Sequence, residues 1–203
     1  MTKIAVIDYG MGNLFSLGKA LEYVGATFQC LTGAEQLQDY DKAIIPGVGA
    51  FFDGAANLNK KSWMPEIVEF SKTKPLLGIC LGMQLLADCG WEPAHALGLG
   101  IVSGEVVKLS QEGSYRLPHI GWNEVKQEGD NPLFNGIKQD EDFYFLHSYY
   151  FKLKNTAFQL ANTNFNHVFP SVIKKDFIYG VQFHPEKSGY AGLQLLKNFC
   201  FEC

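Results

Sequence analysis

Two short motifs in this chain carry residue types suited to nucleophilic chemistry. Pro75-Leu76-Leu77-Gly78-Ile79-Cys80-Leu81-Gly82-Met83-Gln84 runs from an apolar segment through Gly-x-Cys-x-Gly into a helical pattern. That is the layout of a nucleophile elbow with sulfur in place of a hydroxyl. A sharp strand-to-helix turn pushes its middle residue outward in a strained conformation, and side chains on either flank would collide across it, hence the two glycines. A helix N-terminus behind the sulfur favours thiolate over thiol. The same N–H groups, beginning with that of Leu81, can receive an oxyanion.

A thiol nucleophile needs a base, and the base needs a group to orient it. The histidines stand at 95, 119, 147, 167 and 184. His184 follows the apolar run Ile178–Phe183 and opens His184-Pro185-Glu186. The residue before a proline is biased toward extended backbone, and residues two apart on an extended segment project to one side. Glu186 is thus expected to accept a hydrogen bond from one imidazole nitrogen while the other faces the sulfur. Ile44-Ile45-Pro46-Gly47-Val48-Gly49 is a third strand end, running into a Gly-rich turn. Glycines let a peptide plane flip at little steric cost, so this turn can aim an N–H at an oxyanion in one state and away from it in another. No Gly-Lys-Ser/Thr follows, so it is not a phosphate loop. His95 and His167 read as loop residues, and Cys200-Phe201-Glu202-Cys203 reads as the end of a helix, since no second Cys pair accompanies it.

These motifs need a scaffold that brings strand ends together. Lys3–Asp8, Thr27–Leu31, Lys42–Ile45 and Pro75–Ile79 read as strands. Between or after them, Ser16–Val24 (with Gly25 as its cap), Ser62–Ser71 and Met83–Cys89 carry helical spacing. This alternation predicts a mostly parallel sheet with helices on both faces. The second half is rich in β-branched and aromatic runs, at Ile101–Leu109, Asn123–Lys126, Phe143–Phe151, Ala157–Asn164 and Phe177–Phe183, followed by a helix from Tyr190 to about Phe201. Few helical patterns separate these runs, which predicts added antiparallel strands. The expected fold is α/β, with a mixed, mostly parallel central sheet flanked by helices, in one domain spanning residues 1–203. Open sheets of this kind bind ligands outside the carboxyl ends of their strands.

Composition excludes other classes. Of 203 residues, 47% are hydrophobic and 19% charged, and 21 Gly plus 8 Pro fall well short of a low-complexity chain. The net charge of −4 argues against a general nucleic-acid binder. No apolar stretch approaches the ~20 residues of a membrane span, and the opening Met1-Thr2-Lys3 turns acidic too soon for a signal peptide. Five cysteines form no disulfide framework for a chain this long. A cytoplasmic protein without metal or cofactor is expected.

At these motifs the chain resembles the class I (triad) glutamine amidotransferase family. The general signature is carried by Gly78-Ile79-Cys80-Leu81-Gly82-Met83-Gln84 and Gln182-Phe183-His184-Pro185-Glu186. A narrower one is carried by Asp8-Tyr9-Gly10-Met11-Gly12-Asn13-Leu14, Pro46-Gly47-Val48-Gly49-Ala50-Phe51, Pro118-His119-Ile120-Gly121-Trp122-Asn123, Tyr144-Phe145-Leu146-His147-Ser148-Tyr149 and Pro185-Glu186-Lys187-Ser188-Gly189. The resemblance implies that Cys80 attacks the side-chain amide of L-glutamine, that His184 hands a proton to departing ammonia, and that Glu186 orients His184. It implies oxyanion-hole N–H groups at Val48, Gly49 and Leu81. Glutamine would be held by Gly47, Gln84, the His147-Ser148-Tyr149 backbone and, on a looser match, Glu92. The narrower signature points to the branch serving histidine biosynthesis, in which ammonia passes to a docked (β/α)8-barrel cyclase subunit. Asn13, Pro118, His119, Trp122, Tyr144 and Lys187 fall at positions associated with that interface.

Around Ala87–Ala96 and Asn162–Ile173 the chain departs from the family pattern, as a paralogue feeding another acceptor, such as a surface-polysaccharide sugar, would. An elbow of this kind would also suit a different thiol hydrolase or, with a decayed site, a non-enzymatic subunit. The glycine turn is expected to rest in its non-productive orientation, leaving the isolated chain weakly active.

Overall fold

The computed structural model describes residues 2–112 and 114–203. The first half delivers the alternation that the spacing predicts: β1 (Lys3–Ile7), α1 (Leu14–Tyr23), β2 (Thr27–Leu31), β3 (Lys42–Ile45), α2 (Phe51–Lys60), α3 (Trp63–Phe70), β4 (Leu76–Ile79) and α4 (Leu81–Gln84). The Asn13 side chain caps α1 by accepting from the Ser16 N–H. Gly25, at φ +80, provides the left-handed exit. The chain continues through β5 (Cys89–Trp91), β6 (His95–Leu97), β7 (Gly104–Lys108), β8 (His119–Gln127), β9 (Glu141–His147), β10 (Tyr149–Leu153), β11 (Gln159–Phe165), β12 (His167–Lys175), β13 (Ile178–Val181) and α5 (Gly189–Phe201).

A nine-stranded sheet runs β2-β1-β3-β4-β13-β12-β11-β8-β9. From β2 to β13 the neighbours are parallel, and from β12 onward antiparallel. The period-2 alternation of β1 divides the core. Ile4 and Val6 join Leu17 of α1 and Leu195 of α5 in one apolar layer, while Ala5 and Ile7 join Phe51 of α2 and Trp63 of α3 in the other. Each fully buried large side chain contributes roughly 1.5–3 kcal/mol. Among the described residues, no helix is long and apolar enough to cross a membrane.

The structure corrects several expectations. The helical pattern of Met83–Cys89 stops after one turn, because the carbonyls of Leu85, Leu86 and Ala87 accept from the N–H groups of residues 99–102 instead of continuing the helix. That captured segment leads into a second, four-stranded sheet, β10-β7-β5-β6. The run Phe143–Phe151 divides at Ser148, whose carbonyl accepts from the Leu109 N–H, so β9 closes the large sheet and β10 joins the small one. His95 and His167 open strands β6 and β12 instead of lying in loops. Helix α2 escapes the sequence reading because its Gly, Ala and Asn content dilutes the apolar stripe.

Candidate active site

Parallel pairing of β4 with β13 aligns Ile79 with Val181. The ladder extends one step further, the Cys80 N–H donating to the Val181 carbonyl at 2.8 Å. Residues leaving the carboxyl ends of these neighbouring strands therefore emerge side by side. Cys80 takes φ 53 and ψ −110, a conformation that L-residues rarely hold and that survives only where surrounding structure dictates it. Here the cause is backbone stacked on backbone. A Cβ on Gly78 would lie 2.6 Å from both the Gly82 carbonyl oxygen and the Met83 nitrogen, and one on Gly82 would overlap the Ile45 carbonyl.

His184 leaves β13 with its N–H donating to the Tyr144 carbonyl at 2.9 Å. The Ser188 hydroxyl clamps the segment, donating to the His184 carbonyl at 2.6 Å and accepting from the Tyr144 N–H. Nδ1 meets Glu186 Oε1 at 2.9 Å, with the two side chains only 2% and 4% exposed. The route differs from the extended dipeptide that the spacing suggests: Pro185–Lys187 form a single 3-10 turn that brings the carboxylate back to the ring. Nε2 is buried with no hydrogen-bond partner among the described residues. Burial opposes the imidazolium, but the Cys80 sulfur, followed by Glu186, outweighs it and pushes His184 up to about 10.

Both side chains line one cavity of about 320 Å³, together with Val48, Gln84, Glu92, Ser148 and Tyr149. Gln84 Nε2 donates to the Tyr149 carbonyl at 2.9 Å and to Gln182 Oε1 at 3.1 Å. Gln182 Nε2 in turn lies 3.7 Å from the Cys80 sulfur. Sequence reasoning did not single out Gln182 as a site residue, although an amide in an otherwise apolar strand run, two residues before His184, was the available signal. Glu92 accepts from the Phe51 N–H at 3.3 Å at the start of α2. Burial raises its pKa, and that N–H partly offsets the effect. Val48 lines the cavity, but its N–H turns away and donates to the Met11 carbonyl at 3.3 Å.

The interface positions separate. Trp122 is 57% exposed, sets its ring edge-on to Tyr144 with centroids 6.2 Å apart, and shares that ring with Lys187, whose Nζ lies 5.7 Å from its centroid. Pro118 lines the cavity itself. His119 is corrected: at 2% exposure it cannot meet a partner. Its place on β8 opposite His147 on β9 turns the ring inward, stacked between Phe145 and Phe165.

This buried histidine is one member of a chain of neutral rings. His147 Nδ1 lies 2.8 Å from the Tyr149 carbonyl, which can only accept, so Nδ1 carries the proton and Nε2 accepts. His119 Nδ1 then donates to that Nε2 at 3.0 Å, and Asn123 donates to His119 Nε2 at 3.2 Å. Burial, the main cause in both, depresses His119 to about 4 and His147 to about 3. Both folded values lie below the unfolded one near 6.5. The stability they contribute is therefore complete above that value and is lost progressively as pH falls toward the folded values. Urea unfolding should show a loss of roughly 2–5 kcal/mol between about pH 7 and about pH 4.5, and His119→Asn should flatten it. An equal slope in wild type and variant would contradict this.

Residues 5–203 match the family model described as glutamine amidotransferase class-I. With an elbow cysteine beside a His–Glu pair at neighbouring strand tips, the chain belongs to the class I glutamine amidotransferase family. It is 43% identical over 198 residues to imidazole glycerol phosphate synthase subunit HisH 1 of Campylobacter jejuni, covering 97% of this chain and 98% of that one. Identity to imidazole glycerol phosphate synthase subunit HisH of Caldanaerobacter subterraneus subsp. tengcongensis is 45% over 197 residues, covering 97% and 96%. The solved structure of PurLQS from Thermotoga maritima shares the fold, with a TM-score of 0.77 at 18% identity, covering 98% of this chain and 97% of that chain.

Proposed function

We propose that residues 1–203 act as one glutaminase domain, the glutamine-hydrolysing subunit of an imidazole glycerol phosphate synthase in histidine biosynthesis. The observation that carries this reading is that Cys80 and His184 line a single cavity while Glu186 holds His184 from behind, in a chain 43–45% identical to HisH subunits over nearly full length. The Cys80 thiolate attacks Cδ of glutamine, and the C=O electron pair moves onto oxygen. The tetrahedral oxyanion collapses, the C–N bond breaks, and His184 gives its Nε2 proton to the departing nitrogen, releasing ammonia and leaving a γ-glutamyl thioester. His184, now neutral, takes a proton from water, hydroxide adds to the thioester carbonyl, and glutamate leaves as the sulfur departs as thiolate. Glu186 holds the ring so that Nε2 faces the sulfur throughout.

Leu81, as the first residue of α4, offers an N–H without an intrahelical acceptor to the oxyanion. The second donor is Val48, and the 3.3 Å bond of its N–H to Met11 keeps it from that task. Docking of the partner subunit, a (β/α)8-barrel cyclase, through Asn13, Pro118, Trp122, Tyr144 and Lys187, of which Pro118 lines the cavity, turns this peptide and receives the ammonia in a closed passage. The purified chain alone should therefore turn over glutamine at least roughly a hundredfold more slowly than the complex, the loss expected for one missing oxyanion donor. Steady-state glutamate release with and without the cyclase tests this, and an isolated chain as fast as the complex refutes it.

A further inference from the structure

Tyr9 lies in the loop between β1 and α1, and its ring is 1% exposed. Its hydroxyl is buried with no hydrogen-bond partner among the described residues. A buried phenol left unpaired is destabilising by the full desolvation of its O–H, so the group calls for an explanation. Its surroundings supply one. The hydroxyl occupies the space beside Gly47 where a side chain would stand, 2.5 Å from the position of an added Cβ, with Leu81 Cβ and the Gly82 nitrogen next to the same point. The phenol thus touches the residue on which the Pro46–Gly49 turn must rotate.

We propose that Tyr9 is a positioning residue, its hydroxyl acting as the catch that holds the Gly47–Val48 peptide in its productive orientation. This rests on the glutaminase reading above and adds to it. While the Val48 N–H donates to Met11, the phenol bonds neither the Gly47 carbonyl, at the other end of the same peptide plane, nor any other group among the described residues. Rotation that frees the Val48 N–H for the cavity swings that carbonyl through the opposite arc, past the side of Gly47 where the hydroxyl stands. The O–H then donates to it. One new bond offsets the lost Val48–Met11 bond, although the Met11 carbonyl gives up its donor. Burial, followed by the nearby Cys80 sulfur, raises the Tyr9 pKa, so the group stays a donor. An unpaired donor in the resting state and a paired one in the active state together bias the turn toward activity.

Tyr9→Phe keeps the ring and removes only the O–H. The catch predicts opposite signs in two measurements. Thermal unfolding of the purified chain should rise by roughly 2–4 °C, because an unpaired buried hydroxyl is gone. The kcat of glutamine hydrolysis in the cyclase complex should fall roughly five- to tenfold, the value of one neutral hydrogen bond, with KM unchanged. Iodoacetamide should still alkylate Cys80 in the variant, showing that the elbow is intact. Higher Tm with undiminished kcat overturns the catch, as does a fall in Tm together with kcat, which marks a structural role alone. If the wild-type complex itself releases no glutamate, the glutaminase reading fails and this proposal with it.

Discussion

Cys80→Ala should abolish glutamine hydrolysis in the complex, by a factor on the order of 10⁴ or more, while leaving synthesis driven by added ammonium salts at the wild-type rate. The two halves of that result separate chemistry from architecture. Alanine retains the Cβ, so the backbone strain at φ 53 is the same for either residue and the elbow is preserved. Only Sγ is lost, and with it the bond to the γ-carbonyl. The partner's ammonia-consuming step needs no sulfur. A second readout is independent of turnover: the Cys80 sulfur is the group that does most to raise His184 against the effect of burial. In the variant burial is opposed by Glu186 alone, so the imidazole titration followed by NMR should move downward. Glutamine-dependent turnover that persists without the sulfur would remove Cys80 from the nucleophile's role.

Gly82→Ala should be severely damaging, because among the described glycines an added Cβ meets its nearest neighbour most closely at Gly82. The added Cβ would overlap the Ile45 carbonyl, a backbone atom in a buried strand that has no rotamer by which to yield. Either β3 or the start of α4 must move, and each carries part of the site: β3 leads to the Pro46–Gly49 turn and α4 sets the direction of Cys80. A loss of roughly 3 kcal/mol or more is expected, read as a fall in Tm of about 6–12 °C. Gly25→Ala is the control. At φ +80 with nothing within 4 Å of its Cβ, it should lose only about 1 kcal/mol, the conformational penalty without the clash. Equal Tm values for Gly82→Ala and wild type would mean that the elbow is not held by this contact.

What could be read from the linear chain was chemistry tied to local backbone geometry. Gly-x-Cys-x-Gly after an apolar run, His-Pro-Glu after another, and Pro-Gly-Val-Gly after a third each announce a strand end and a turn, because glycine and proline act on the few dihedrals beside them. The parallel half of the sheet follows from strand–helix alternation for the same reason. Other features depended on contacts between distant residues. The helix at Met83 is cut short by carbonyl bonds to residues 99–102, and the aromatic run Phe143–Phe151 is divided between two sheets by a bond at Ser148. His119 falls at a position that the family resemblance associates with the partner interface, and it is buried because β8 pairs with β9 in a register that sets it opposite His147. The orientation of the Val48 N–H and the unpaired Tyr9 hydroxyl likewise carry no local signature. Hydrogen bonds between residues far apart in the chain are decided by strand order and register, which the whole chain settles together when it folds.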